Sequence, residues 1–154
     1  MFEKLMASAV LPASDIARAK QWWHDVLGRD PVYEDTEGEA LYYDIGGTVL
    51  LVYRSEFAGT AQNTAFGLMT DDLDRDMTQL RTHGVMFHDY DMPGLKTEDG
   101  VAEFGEERSA WFSDSEGNII AIGQYSPQMM EMAMRMRSSP NSATPSSVFR
   151  PGMS

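Results

Sequence analysis

The spacing of apolar residues changes several times along this chain, and each change marks an element. Residues 5–11 read as a strand. From Ile16 the spacing becomes helical. Ile16, Ala19, Trp23, Val26 and Leu27 share one face, Ser14 or Asp15 caps the start, and Gly28 marks the stop. Trp22 falls off that stripe and is expected to meet a partner subunit. Val32-Tyr33 begins a second strand. Leu41–Ile45, Gly46-Gly47 and Thr48–Tyr53 then predict a hairpin around a glycine turn.

The same order returns later. Ala65-Phe66-Gly67-Leu68-Met69-Thr70-Asp71-Asp72 repeats the design of Ser8-Ala9-Val10-Leu11-Pro12-Ala13-Ser14-Asp15. A strand over 64–69 leads to a helix from Asp72 that uses Leu73, Met77 and Leu80 and stops at Gly84. Val85-Met86-Phe87 predicts another strand, and residues 89–107 a long loop rich in Pro, Gly and acidic residues. Ala110-Trp111-Phe112, the turn Asp114-Ser115-Glu116-Gly117, and Asn118–Tyr125 form a second hairpin. Each half therefore reads β-α-β-β-β, with modules at about 4–55 and 62–126 inside one domain over 1–126. A repeated half-domain gives two equivalent walls with a site between them.

The tail differs in kind. Ser126-Pro127 starts a helix over 127–137, with Met129, Met132 and Met136 on one stripe and Met130 and Met134 beside it. This adaptable apolar face is expected to dock on the domain. Residues 138–154 are rich in Ser and Pro and are expected to be disordered.

Composition narrows the function. Asp and Glu number 24 against 12 Lys and Arg, a net charge of −12 that repels phosphate backbones and argues against nucleic acid. No apolar run is long enough to span a membrane, and no signal-peptide pattern opens the chain. Cysteine is absent, which excludes disulfides and thiolate chemistry and fits a cytoplasmic protein.

With Ser14-Asp15-Ile16-Ala17-Arg18-Ala19-Lys20, Val26-Leu27-Gly28 and Asp114-Ser115-Glu116-Gly117-Asn118 in these places, the chain resembles the vicinal oxygen chelate superfamily. That group includes glyoxalase I, extradiol dioxygenases, fosfomycin-modifying enzymes and bleomycin-binding proteins. The resemblance implies an α+β fold, two βαβββ modules forming a cupped mixed sheet with helices on the outer face. It also implies pairing into a homodimer. In metal-dependent members, His, Glu or Gln on the first and last strands of each module hold a divalent ion inside the cup.

The repeat locates those positions. Seven residues before the helix-start Asp15 and Asp72 stand Ser8 and Ala65, and four past Gly47 and Gly117 stand Leu51 and Ala121. Serine is a poor metal ligand, and leucine and alanine have no donor, so no metal or other cofactor is expected. His24, His83 and His88 lack the spacing of a zinc motif and read as surface or helix-end residues.

Strand alternation assigns the rest of the cup. Tyr53, Asn63 and Tyr125 share the parity of the ligand positions, and Trp111 is a stacking candidate. Leu50, Val52, Phe66, Leu68, Ile120 and Ile122 have the opposite parity and are expected under the helices. Ser8, Leu51, Tyr53, Asn63, Ala65, Trp111, Ala121 and Tyr125 are thus the candidate ligand-binding residues. The leading expectation is a metal-independent small-molecule binder. The alternatives are a glyoxalase-like lyase or extradiol dioxygenase with an unconventional metal site, a metal-free enzyme using Tyr53, Tyr125 or Glu103, and a structural dimer with a filled cup. Lys96, Glu98 and Asp99 lie in the long loop, where they are candidates to close over a ligand.

Overall fold

The computed structural model describes residues 3–37 and 39–137. The disordered tail expected over 138–154 lies outside the described residues. The first module holds β1 (Ala9–Ala13), α1 (Ile16–Leu27), β2 (Tyr33–Asp35), β3 (Ala40–Ile45) and β4 (Thr48–Arg54). The second holds β5 (Thr64–Thr70), α2 (Leu73–Thr82), the short pair β6 (Asp91–Met92) and β7 (Leu95–Lys96), then β8 (Val101–Phe104), β9 (Glu107–Ser113) and β10 (Ile119–Gln124). α3 (Pro127–Arg137) follows.

The two main sheets have matching orders, β1-β4-β3-β2 and β5-β10-β9-β8. In each, the outer strand runs parallel to its neighbour and the remaining pairs are antiparallel. This is the expected α+β arrangement of two βαβββ modules, with β1 and β5 adjacent at the module boundary.

Equivalent caps start the two helices. The Asp15 carboxylate accepts from the Arg18 N–H at 2.9 Å, and that of Asp72 from the Arg75 N–H at 3.0 Å. Each satisfies one of the backbone donors that a helix start leaves without a partner. Gly28 ends α1 in the left-handed region, at φ 62°. Ala19 and Trp23 pack on Leu11, Leu41, Leu50 and Val52, while Leu73, Met77 and Leu80 pack on Phe112, Ile120 and Ile122. The bulky parity of each central strand therefore lies beneath its helix. The opposite parity forms an upper face turned away from the helices.

Several local expectations change. The first strand begins at Ala9 rather than residue 5. Val85–Phe87 is no strand but a segment with one bridge, Phe87 to Phe112. The long loop contains β6, β7 and β8, the last being the second module's edge strand. Trp22 serves the neighbouring module: its ring lies 6.3 Å from that of Phe112, and it packs against both apolar cores. The Met-rich α3 rests on the domain only loosely, with Met130 and Ala133 half-buried and Arg137 bonded to the Gly46 carbonyl. None of its residues is buried, and Met136 is 69% exposed.

The modules are joined by the β9–β10 turn. The Glu116 carboxylate reaches across to the start of α1, where Oε2 accepts from Arg18 Nε at 2.7 Å and Oε1 from Arg18 Nη2 at 3.0 Å. Oε1 also accepts from the Asp15 N–H at 2.9 Å. Asn118 adds a bond from its amide to the Pro12 carbonyl at 2.9 Å. Burial pushes the Glu116 carboxyl up, but the Arg18 and Asp15 donors outweigh it and hold the group at about 2. Asp114 beneath accepts from the Glu116 and Asn118 N–H groups, and burial pushes its own carboxyl up. The Asp-x-x-Gly-Asn motif thus acts here as an inter-module clasp.

Candidate functional site

The upper face of the second sheet has an almost bare centre. Across β5 and β10, Gly67 sits beside Ala121, with Ala65 earlier on β5. A Cβ built on Gly67 would meet nothing within 4 Å. Small residues at adjacent positions leave a strip of sheet open to a ligand. Trp111 pairs with Ala121 from the other side, and Tyr125 lies over Gly123.

The edge of this strip carries a polar and aromatic cluster that sequence reasoning missed. His88 Nε2 lies 2.9 Å from Ser113 Oγ, and His88 Nδ1 lies 3.1 Å from the Tyr90 hydroxyl. The Tyr90 ring meets Trp111 edge to face at 5.7 Å, and Trp111 Nε1 donates to Thr64 Oγ1 at 3.1 Å. The His88 N–H donates to the Trp111 carbonyl, which fixes the incoming segment to β9. Alternation along β9 puts Ser109, Trp111 and Ser113 on one face. Nothing local to His88 indicates that it joins them; it is a half-buried residue at the sheet's edge rather than an unpartnered surface one.

The sequence-derived residues fall into two groups. Ala65, Trp111, Ala121 and Tyr125 gather on the second sheet. Leu51 and Tyr53 lie on β4 of the first, where Leu51 is opposite Val10. Ser8 precedes β1, and Asn63 precedes β5 with its amide donating to the neighbouring Thr64 carbonyl. Val10 and Tyr53 are 47% and 38% exposed, so among the described residues no side chain closes over the first upper face there.

Other candidates lie elsewhere. Lys96, Glu98, Asp99 and Glu103 line a charged groove of about 610 Å³ between α2 and β8, on the helix side. There Arg108 pairs with Asp74 at 2.9 Å and approaches Glu103 at 3.9 Å. The Asp74 carboxyl is lowered by the Arg108 hydrogen bond. His24 pairs with Asp30 at 2.7 Å on the surface. Tyr43 is a core residue against Trp23, with burial pushing its hydroxyl above the usual tyrosine range. Among the described residues, no three of His, Asp and Glu are grouped to hold a metal ion.

Paired βαβββ modules with helices on one side and an open face on the other define a duplicated α+β scaffold. The sequence model of the Glyoxalase/Bleomycin resistance protein/Dioxygenase superfamily matches residues 5–122, and the chain belongs to that superfamily. Solved structures share its fold. TnmS3, an antibiotic binding protein from Streptomyces sp. CB03234, is 24% identical, with 79% of this chain and 98% of that one covered and a TM-score of 0.57. The fosfomycin resistance protein FosX from Listeria monocytogenes is 10% identical, with coverage of 80% and 95% and a TM-score of 0.61. A glyoxalase/bleomycin resistance protein/dioxygenase from Alicyclobacillus acidocaldarius is 15% identical, with coverage of 83% and 96% and a TM-score of 0.62. No curated protein matches the chain significantly.

Proposed function

We propose that this protein binds a small molecule on its upper faces without a metal ion. The observation that carries the reading is the bare strip of Ala65, Gly67 and Ala121 beside Trp111, Tyr90 and His88. It combines apolar area with a few fixed polar groups, the usual chemistry of a ligand site. The donor chemistry supports it: the repeat points to Ser8, Leu51, Ala65 and Ala121 as equivalents of the ligand positions in metal-dependent members, and these side chains are poor or incapable metal donors. The antibiotic-binding and fosfomycin-resistance proteins of this fold make an antibiotic-like small molecule a reasonable occupant.

A thermal-shift screen of chelator-treated protein against small apolar and cationic compounds tests this. Saturable stabilisation is expected, because a ligand that binds only the folded state raises its stability. The stabilisation should vanish in Leu51→Trp or Ala121→Trp. No stabilisation by any compound, or stabilisation untouched by both substitutions, would defeat the reading.

The contacts between His88, Ser113 and Tyr90 favour a second reading, an enzyme that moves a proton through His88. In that case His88→Gln would abolish turnover of a bound compound while leaving its binding in place. The partly exposed apolar residues Val10 and Met69 are consistent with a homodimer that covers the upper face. Sedimentation showing a monomer would count against it. The lack of cysteine suits a cytoplasmic setting.

A further inference from the structure

We propose that the cleft between the two modules is a second binding site, one that takes a small amphipathic organic anion. It opens on the helix side and meets the upper-face strip at the β5 edge, where Gly67 and Met69 also line it. The space is about 560 Å³, bounded by the end of α1, the β5 edge, α2 and the β3–β4 turn. Protein interiors are close-packed, and voids much larger than a water molecule are few. Here an open cleft with a volume in the range of small-molecule sites borders two apolar cores that Trp22, Leu27 and Phe66 bridge.

The walls and the mouth differ in chemistry. Trp23, Leu27, Phe66, Leu68, Leu80 and Ile122 form the apolar walls. Arg29, Arg137 and Asp76 are the charged groups at the rim, with the His83 imidazole beside them. The Asp76 carboxylate is already engaged by Arg75 and by the Thr70 hydroxyl. The Arg29 guanidinium has no hydrogen-bond or ion-pair partner among the described residues. Arg137 donates to the Gly46 carbonyl, which ties α3 to the β3–β4 turn at the same mouth. In a chain with a net charge of −12, two guanidinium groups at the rim of an apolar cleft form a local cationic spot. A molecule with a ring or chain body and one carboxylate or sulfonate matches both parts. Its body displaces water from the walls, and its anionic end meets a planar donor group.

Anilinonaphthalene sulfonate is the probe, with uncharged N-phenylnaphthylamine as its comparison, both read by fluorescence on the full chain. The sulfonate is expected to bind saturably at one site per chain. Arg29→Glu is expected to weaken the sulfonate at least tenfold and the neutral dye less than twofold. Gln79→Trp or Thr48→Trp, which place a bulky ring in the cleft from exposed positions, are expected to remove both dyes. Leu51→Trp, on the upper face of the first sheet, is expected to leave both in place. Equal weakening of both dyes by Arg29→Glu overturns the anion assignment. Unchanged binding in both cleft-filling variants, or loss only in Leu51→Trp, overturns the site. Circular dichroism of each variant identifies any that fail to fold, and the remaining cleft variant then decides.

Discussion

The two modules share one design, yet their last hairpins meet different fates. The β3–β4 turn at Gly46-Gly47 is exposed, held among the described residues by the Gly47 N–H donating to the Asp44 carboxylate at 2.8 Å and by Arg137 donating to the Gly46 carbonyl. Its counterpart, the β9–β10 turn, is buried against the first module, with the Glu116 side chain 1% exposed beside Arg18. Duplication supplied the walls, and divergence of one turn locked them together. Both turns keep an Asp, Asp44 and Asp114, but the difference explains why the second carries Glu116 and Asn118 where the first carries Gly46 and Thr48. A turn in water needs only the right backbone angles, whereas a buried one must satisfy every polar group it brings.

The largest effect is expected at the clasp. Glu116→Gln leaves Arg18 without its anionic partner and should cost about 3 kcal/mol in urea unfolding. The same contact sets an acid limit. The Glu116 carboxyl lies near 2 when folded, against an ordinary value of 4.5. Its contribution is therefore present above pH 4.5 and is lost as pH falls towards 2, up to about 3 kcal/mol. Asp114, pushed up by burial, acts in the opposite sense. Acid unfolding followed by circular dichroism should show a steep loss in the wild type below pH 4.5 and a flatter profile in Glu116→Gln. Parallel profiles would mean that the turn does not join the modules.

A smaller loss is expected where the linker meets the clasp. Gly59 has φ +75°, and a Cβ there would lie 2.8 Å from the Glu116 carbonyl oxygen. Gly59→Ala should cost about 2 kcal/mol, measured as a shift in the urea midpoint. Least affected should be the solvent-exposed hairpin. Asp44→Ala is expected to change stability by about 0.5 kcal/mol or less. If Asp44→Ala cost as much as Glu116→Gln, the contrast between the two turns would fail.

Much of the fold was legible because its signals are local. Asp15 and Asp72 announce helix starts, and the alternation of Leu50, Val52, Ile120 and Ile122 marks the strand face that packs under the helices. β8 escaped because Val101–Phe104 is short and borders the charged stretch Gly105-Glu106-Glu107, which reads as loop. Trp22 was misread because α1 has two neighbours. Ala19 and Trp23 serve its own sheet, while Trp22 and Val26, one turn apart, serve the other module. A single stripe takes in Val26 but leaves Trp22 out. The pairing of Arg18 with Glu116 spans 98 residues, and that of His88 with Ser113 joins separate strands, so no periodicity encodes either. Of the site itself, the small residues on β5 and β10 could be read from parity. The polar cluster at their edge came only from tertiary structure.

Metal-free binding on the upper face is the central claim, and calorimetric titration tests it most directly. A compound that stabilises the protein is titrated into chelator-treated chain, then again after zinc is added. The affinity should be the same in both titrations, and Ala121→Trp should abolish it. Binding that appears only once zinc is present would contradict the claim.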